Sequence, residues 1–334
     1  MDSLTQIRLT RELIDIDSTT GRETAAGEFI ARTLEDLGWN VLRQPVVDGR
    51  FNVIARTDAP PSVVFSTHFD CVPPFIRSRE EGGRLYGRGS CDAKGTLFAQ
   101  IAAAERLRAS GEARIGLVYV VAEERGSEGA RAANTLGADS RFLINGEPTD
   151  NRLGIATRGV YRVRLRAAGR AAHSSLPELG ISAIDKLVDA LVALRDVRWP
   201  EDPDLGSTFY TVGLINGGVA PNVISPEADA ELMFRTVGEP GPIRQAIVER
   251  IGSLVDVEDV LVVPPVRLMT VPGFDATVFS FTTDIPWLER WGRPLLLGPG
   301  SVTVAHTADE YCEVGDLTRA TELYEKLARH LIAS

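Results

Sequence analysis

Seven residues in five short segments are the ones best equipped for chemistry in this chain: His68, Asp70, Asp92, Glu123, Glu124, Glu147 and His306. The segments read Ser-Thr-His68-Phe-Asp70, Gly-Arg-Gly-Ser-Cys-Asp92-Ala-Lys-Gly, Ala-Glu123-Glu124-Arg-Gly-Ser, Asn-Gly-Glu147-Pro-Thr and Ala-His306-Thr-Ala-Asp-Glu310. Only four histidines are present, and His68, His173 and His306 all stand in suggestive contexts, whereas His330 lies in the C-terminal tail. Zinc accepts imidazole nitrogen and carboxylate oxygen at about 2.0–2.2 Å. Two ions roughly 3.5–4 Å apart need a shared carboxylate and further ligands on each side. Asp92 is the candidate bridge. His68 and Glu147 would complete one site, Glu124 and His306 the other. Three protein ligands per ion leave room for water, which marks a catalytic site rather than a closed structural one.

Asp70 follows His68 by two residues and is a candidate acceptor for the other ring N–H, fixing its tautomer. Glu123 adjoins a proposed ligand and suits a general base that takes a proton from water and passes it to a leaving nitrogen. Each segment alone has an ordinary reading. Adjacent glutamates commonly form a solvated pair, Asp92 could cap a helix starting near Lys94, and Glu147 could be a turn residue before Pro148. Their joint order is far more specific.

The surrounding elements must bring these groups together. Apolar spacing predicts helices over 4–16 and 25–37, strands over 41–46, 52–56 and 62–66, and a helix rich in alanine and leucine over 94–110. Strands over 114–122 and 142–144 end close to Glu123 and Glu147. Strands alternating with helices predict an α/β domain with a largely parallel sheet flanked by helices, and the chemical groups fall just beyond strand C-termini, where such sheets bind ligands. After about residue 158 the pattern changes to strands over 160–167, 208–215, 228–235 and 260–270, with helices over 181–194 and 243–254. That reads as an inserted α+β unit, 159–270, with the first domain comprising 1–158 and 271–334.

The chain has 334 residues, a formal net charge of −10, 44% hydrophobic residues and 25% charged residues. This composition suits about two globular domains. The acidic balance argues against nucleic acid and anionic membrane as partners and favours small cations. No apolar run approaches the roughly 20 residues that span a bilayer. The N-terminus shows no signal-peptide pattern. Three cysteines, Cys71, Cys91 and Cys312, have no framework spacing and read as small packing residues. A cytoplasmic location is the expectation.

With these motifs assembled, the chain resembles the aminoacylase/carboxypeptidase family of co-catalytic zinc hydrolases, which includes acetylornithine deacetylase, succinyl-diaminopimelate desuccinylase and glutamate carboxypeptidase. The resemblance runs over nearly the whole length. Its most specific block is Leu85-Tyr-Gly-Arg-Gly-Ser-Cys-Asp92-Ala-Lys-Gly95. It implies a zinc-peptidase-like catalytic domain, two zinc ions (cobalt or manganese as substitutes) and a cis peptide bond after Asp92. It also implies that the inserted unit is a lid that dimerises the protein. Within the lid, Gly169-Arg-Ala-Ala-His173-Ser-Ser is similar to the segment whose histidine stabilises the oxyanion. By the same resemblance Asn222 would contact the scissile carbonyl or a nearby atom, and Arg235 would grip the substrate carboxylate. Gly300 and Ser301, in Gly298-Pro-Gly-Ser301, could offer backbone N–H groups to that carboxylate. Thr67 stands where the family often has glycine, and the 73–83 loop lacks a tryptophan common in desuccinylase-like members. These departures bear on substrate rather than on metal chemistry. The expected activity is removal of an N-acyl group from an α-amino acid, acetylornithine foremost, by water activated at the metal pair. The alternatives are a dipeptidase or carboxypeptidase, desuccinylase-like cleavage and, remotely, a non-catalytic binding protein.

Overall fold

A computed structural model describes residues 1–334. The chain divides into two units. The first comprises Met1–Ile155, Leu268–Thr277 and Thr283–Ser334, and the second comprises Ala156–Arg267 and Val278–Thr282. The chain leaves the first unit after Ile155 and after Thr277 and re-enters it at Leu268 and at Thr283, and the return of 278–282 to the second unit has no counterpart in the sequence reading.

The first unit is built on a six-stranded sheet in the order Asn40–Val47, Arg50–Arg56, Ile115–Val120, Val63–His68, Phe142–Asn145, Arg293–Leu296. The last four are mutually parallel, and the first two form an antiparallel hairpin on one edge. Every residue of Val63–His68 and Ile115–Val120 is buried, as expected for central strands covered on both faces. Helix Lys94–Ala109 is buried around most of its circumference. Its alanines at 99 and 102–104 have no exposed surface to speak of, and small side chains let neighbouring elements approach closely on several sides at once. Lys94 itself is buried, and its Nζ donates to the carbonyls of Leu13 and Ile16 at 3.0 and 2.9 Å. That contact closes the C-terminal end of helix Ser3–Ile14 over the helix that follows Asp92. A second core cluster on the other face includes Val118, Val120, Leu143 and Trp291.

The second unit is a four-stranded antiparallel sheet in the order Phe209–Gly217, Glu227–Thr236, Gly159–Ala168, Asp256–Val263. Strand Glu227–Thr236 alternates buried and half-buried residues along most of its length, the period-2 signature of one covered face. Helices Ala183–Leu194 and Pro240–Ile251 supply the apolar side chains that share a core with that face.

Two of the expected elements are displaced along the chain. The strand expected over 260–270 lies at Asp256–Val263, because Pro264 and Pro265 withdraw two backbone donors from any continued ladder. The helix expected over 243–254 spans Pro240–Ile251, with Pro240 at its first turn, where no N–H is needed. Helix Glu128–Leu136 was not expected. It is short and directly follows Gly126 and Ser127, both at positive φ. The three cysteines are buried and unpaired. No helix is long and apolar enough to cross a membrane.

Candidate metal centre and active site

The C-terminal ends of the parallel strands of the first unit carry the acidic groups. His68 is the last residue of its strand, Glu123 and Glu124 follow Ile115–Val120, and Glu147 follows Phe142–Asn145. Asp92 sits just ahead of helix Lys94–Ala109. The N-cap of that helix is Ala93 with no side-chain capping bond, so the capping reading of Asp92 is corrected. Its carboxylate is turned toward two imidazoles instead. Asp92 Oδ1 lies 3.0 Å from His68 Nε2, and Oδ2 lies 3.2 Å from His306 Nε2. The peptide bond after Asp92 is cis.

His68, Asp92 and Glu147 offer donor atoms within 4.8 Å of one another, and so do Asp92, Glu124 and His306. Two three-donor sets sharing one carboxylate are what a pair of ions requires. His68 Nε2 is 3.8 Å from Glu147 Oε2, and His306 Nε2 is 3.0 Å from Glu124 Oε1. Glu147 Oε1 is buried without a hydrogen-bond partner, an orphaned oxygen of the kind a cation satisfies. The donor set, all imidazole and carboxylate, therefore fits divalent ions of the zinc type.

Electrostatics point the same way. Burial pushes Glu147 up to about 7 and Glu123 well above the usual carboxylate range. Burial also raises Glu124. Burial opposes ionisation of Asp92, yet the hydrogen bonds from His306 and His68 hold that carboxyl well below the usual range. His306, bonded to Asp92 and Glu124, is raised to about 10.

Asp70 does more than its place beside His68 suggests. His68 Nδ1 donates to the Asp70 backbone carbonyl at 3.0 Å, with the Asp70 carboxylate at 3.5 Å. The expected carboxylate–imidazole bond is thus carried mainly by the main chain. The Asp70 carboxylate itself accepts the backbone N–H of Glu123 at 3.0 Å and of Glu124 at 3.2 Å, and the Thr20 hydroxyl at 2.9 Å. This grip holds the loop that carries the candidate base. Ala122, at φ 62, begins that loop in the left-handed region, a conformation that costs a residue with a Cβ about 1–2 kcal/mol. The Ser127 N–H closes the loop on the Ala122 carbonyl at 2.8 Å. Glu123 keeps part of its surface open and takes no part in either donor triad, which leaves it free to handle a proton.

Two further acids belong to this neighbourhood and were given no role from sequence. Asp284, buried just before the turn Ile285–Trp287, faces the Ser127 hydroxyl, and burial raises it to about 7. Glu310 accepts the N–H of Asp92 at 3.1 Å. Gly300 and Ser301 follow the outermost parallel strand. The Gly300 carbonyl accepts the Asp150 N–H at 2.8 Å, and the Ser301 hydroxyl lies 3.0 Å from that of Thr303. They form a built turn on the same end of the sheet.

In the second unit, His173 and Asn222 stand side by side and are exposed. His173 forms a bridge with Val223, and the Ser174 N–H donates to the Asn222 carbonyl at 3.0 Å. His173 Nδ1 accepts the Ser175 N–H at 3.2 Å, which leaves Nε2 as the ring's donor. Arg235 is half-buried on strand Glu227–Thr236, and burial alone acts on it, pushing it down.

Together the fold and the site define a metal-dependent hydrolase of amide bonds. The description "Peptidase family M20/M25/M40" matches residues 64–330. A peptidase M20 domain-containing protein of Schizosaccharomyces pombe is 36% identical over 97% of this chain and 84% of its own length. A probable carboxypeptidase of Aspergillus clavatus is 34% identical over 96% of this chain and 81% of its own. Among solved structures, a tripeptidase from Staphylococcus aureus superposes with a TM-score of 0.82 at 20% identity, covering 98% of this chain and 99% of that one. An M20 family metallo-carboxypeptidase from Sulfolobus solfataricus gives 0.80 at 17%, covering both chains completely. A dinuclear metal-binding M20 peptidase from Bacillus subtilis gives 0.73 at 16%, covering 99% and 98%. The chain belongs to the M20 peptidase family.

The raised imidazole and carboxyl groups predict a proton-linked metal centre. His306, near 10 in the metal-free protein, is protonated at neutral pH and must lose its proton to become a ligand. Zinc affinity should therefore rise with pH between 6 and 9, by up to about tenfold per unit for each proton displaced. Competition titrations against a chelator at fixed pH values measure this, and an affinity independent of pH would contradict the ligand role of His306.

Proposed function

We propose that this chain is a di-zinc carboxypeptidase or dipeptidase that releases an amino acid with a free α-carboxylate from a small peptide. Support comes from relatives called carboxypeptidases across 95% or more of this chain. The observation that carries the reading is the pair of donor triads sharing Asp92, with Glu123 left outside both. Bound zinc, with cobalt or manganese as substitutes, would supply Lewis acidity toward the scissile carbonyl and a lowered pKa for water.

The chain's own groups do the rest. Glu123 takes the proton from the attacking water and delivers it to the leaving nitrogen, for which a carboxyl raised by burial is suited. Asp70 keeps Glu123 in place through two backbone N–H groups. His173, with hydrogen on Nε2, and Asn222 are assigned to the oxygen that gains charge at the carbonyl. Arg235, desolvated and free of an acidic partner, is assigned to the substrate carboxylate. Gly300 and Ser301 are assigned to the same end of the substrate. Removal of an N-acyl group from an amino acid, acetylornithine included, uses the same atoms, and the Gly-Glu147-Pro-Thr segment, which resembles that of the acetylornithine and acetyl-lysine deacetylase branch, favours it as the second reading.

We also infer a homodimer formed through the second unit. Strand Phe209–Gly217 is an edge strand that exposes Val212, Leu214 and Ile215, and helix Ala183–Leu194 exposes Ile184, Val188 and Val192. An open edge beside an apolar helix face is a liability in a monomer. The double variant Val188→Asp, Leu214→Lys should run as a monomer in light scattering where the wild type runs as a dimer. A monomeric wild type would refute the inference.

The functional reading is tested by incubating the zinc-loaded protein with dipeptides, N-acetyl amino acids and N-succinyl-diaminopimelate, scoring free amine with and without chelator. Chelator-sensitive cleavage of dipeptides is expected. Turnover confined to N-acetylornithine would move the protein to the deacetylases, and no turnover with both ions bound would favour a binding protein. Glu123→Gln should lower kcat by about 10²–10⁴ with two ions still bound, and wild-type kcat in that variant would remove Glu123 from the base role.

A further inference from the structure

Glu310 belongs to neither donor triad, yet its carboxylate is almost wholly buried and fully engaged. Oε1 accepts three backbone N–H groups, from Gly89 at 2.9 Å, Cys91 at 3.1 Å and Asp92 at 3.1 Å. Oε2 accepts Arg88 Nη1 at 2.5 Å, and the Glu310 carbonyl accepts the Gly87 N–H at 3.1 Å. Successive N–H groups converging on one point make a concave anion seat. Here the anion is a side chain of the same protein. Gly89 makes the seat possible. Its φ is +88°, and a Cβ there would lie 2.7 Å from Cys71 Sγ.

The strand pairing explains the meeting. Tyr311–Glu313, directly after Glu310, pairs antiparallel with Arg84–Tyr86, directly before the 87–92 loop. The two loops that leave this pair carry Asp92 and, four residues before Glu310, His306. Their fellow ligands are held differently. His68 lies in the ladder of the central sheet, paired with Val120. Glu147 follows Gly146, whose N–H is bonded to Ser66 at 2.7 Å. His306, by contrast, sits in an exposed loop at φ 63 with 51% of its side chain accessible.

We infer that Glu310 is a positioning residue that latches the His306 loop to the Asp92 loop, and so supports the Asp92–Glu124–His306 metal subsite, two of whose ligands lie on the latched loops, more than the His68–Asp92–Glu147 subsite, of which it holds only the shared Asp92. This rests on the dinuclear reading above. Loss of the latch frees the loops that present His306 and Asp92, whereas His68 and Glu147 stay in place on the sheet. The consequence is a protein that loses some affinity for one ion and much more for the other.

The test is a zinc titration of wild type, Glu310→Ala and Glu310→Gln against a competing chelator, with ions per chain counted by elemental analysis. Wild type should bind two ions. Glu310→Ala should hold one with a smaller loss, felt through Asp92 alone, and the second at least about tenfold more weakly, the usual scale for losing a group that orients a ligand. Glu310→Gln has the same shape and carries the test should the alanine variant not fold. Its carbonyl oxygen still serves the three N–H groups but its amide faces Arg88, so the second ion should weaken by less than in Glu310→Ala. Wild-type affinity for both ions, or equal loss at both, would overturn the inference. Amide exchange in the metal-free proteins tests the latch independently of metal. Exchange at Gly89, Cys91 and Asp92 should quicken about tenfold or more in Glu310→Ala, and unchanged exchange would also overturn it. Should wild type bind fewer than two ions, the dinuclear reading fails, and the exchange result still decides the latch.

Discussion

Carboxylates crowd the C-terminal edge of the parallel sheet at a density that water cannot relieve. Asp70, Asp92, Glu123, Glu124, Glu147 and Asp284 all lie there, and burial raises four of them. Such an arrangement is costly unless positive charge is brought in. In the metal-free chain two imidazoles meet part of the demand, each hydrogen-bonded to a different oxygen of Asp92. Divalent ions meet it better, and the donor atoms already stand in two sets around that carboxylate. Metal affinity thus follows from that charge imbalance.

That crowd persists because backbone groups hold it. Asp70 spends its carboxylate on the N–H groups of Glu123 and Glu124, and Glu310 spends its own on those of Gly89, Cys91 and Asp92. Each of these acids is neutralised by peptide dipoles and leaves the neighbouring ligand free for a cation. Conformations that would be disfavoured in isolation, such as left-handed Ala122 and His306, survive within these grips. The rigid sheet supplies His68 and Glu147. Loops pinned by buried acids supply Glu124, Asp92 and His306.

Much of this was legible in the sequence. His68, Glu123 and Glu147 follow recognisable β-branched or apolar runs, so their place at strand ends followed from pattern alone. Asp92 and His306 were legible from composition, since a chain with so few histidines sets one in a glycine-rich and acidic context. Other features depend on contacts across long separations and leave no local signal. The bonds of Glu310 reach residues 218–221 positions away. Asp284 sits in Thr-Thr-Asp-Ile-Pro, which reads as an ordinary turn. The carboxylate of Asp70 serves the next strand's loop rather than its own histidine, a division of labour that depends on the register of His68 against Val120. The 256–263 strand was misplaced because its apolar residues continue past the Pro264-Pro265 pair that ends it.

The central claim is that Asp92 bridges two metal ions. Anomalous diffraction at the zinc edge from crystals grown with zinc tests it directly. Two peaks about 3.5–4 Å apart are expected on either side of the Asp92 carboxylate, one beside His68 and Glu147 and the other beside Glu124 and His306. A single peak, or peaks away from Asp92, would contradict it.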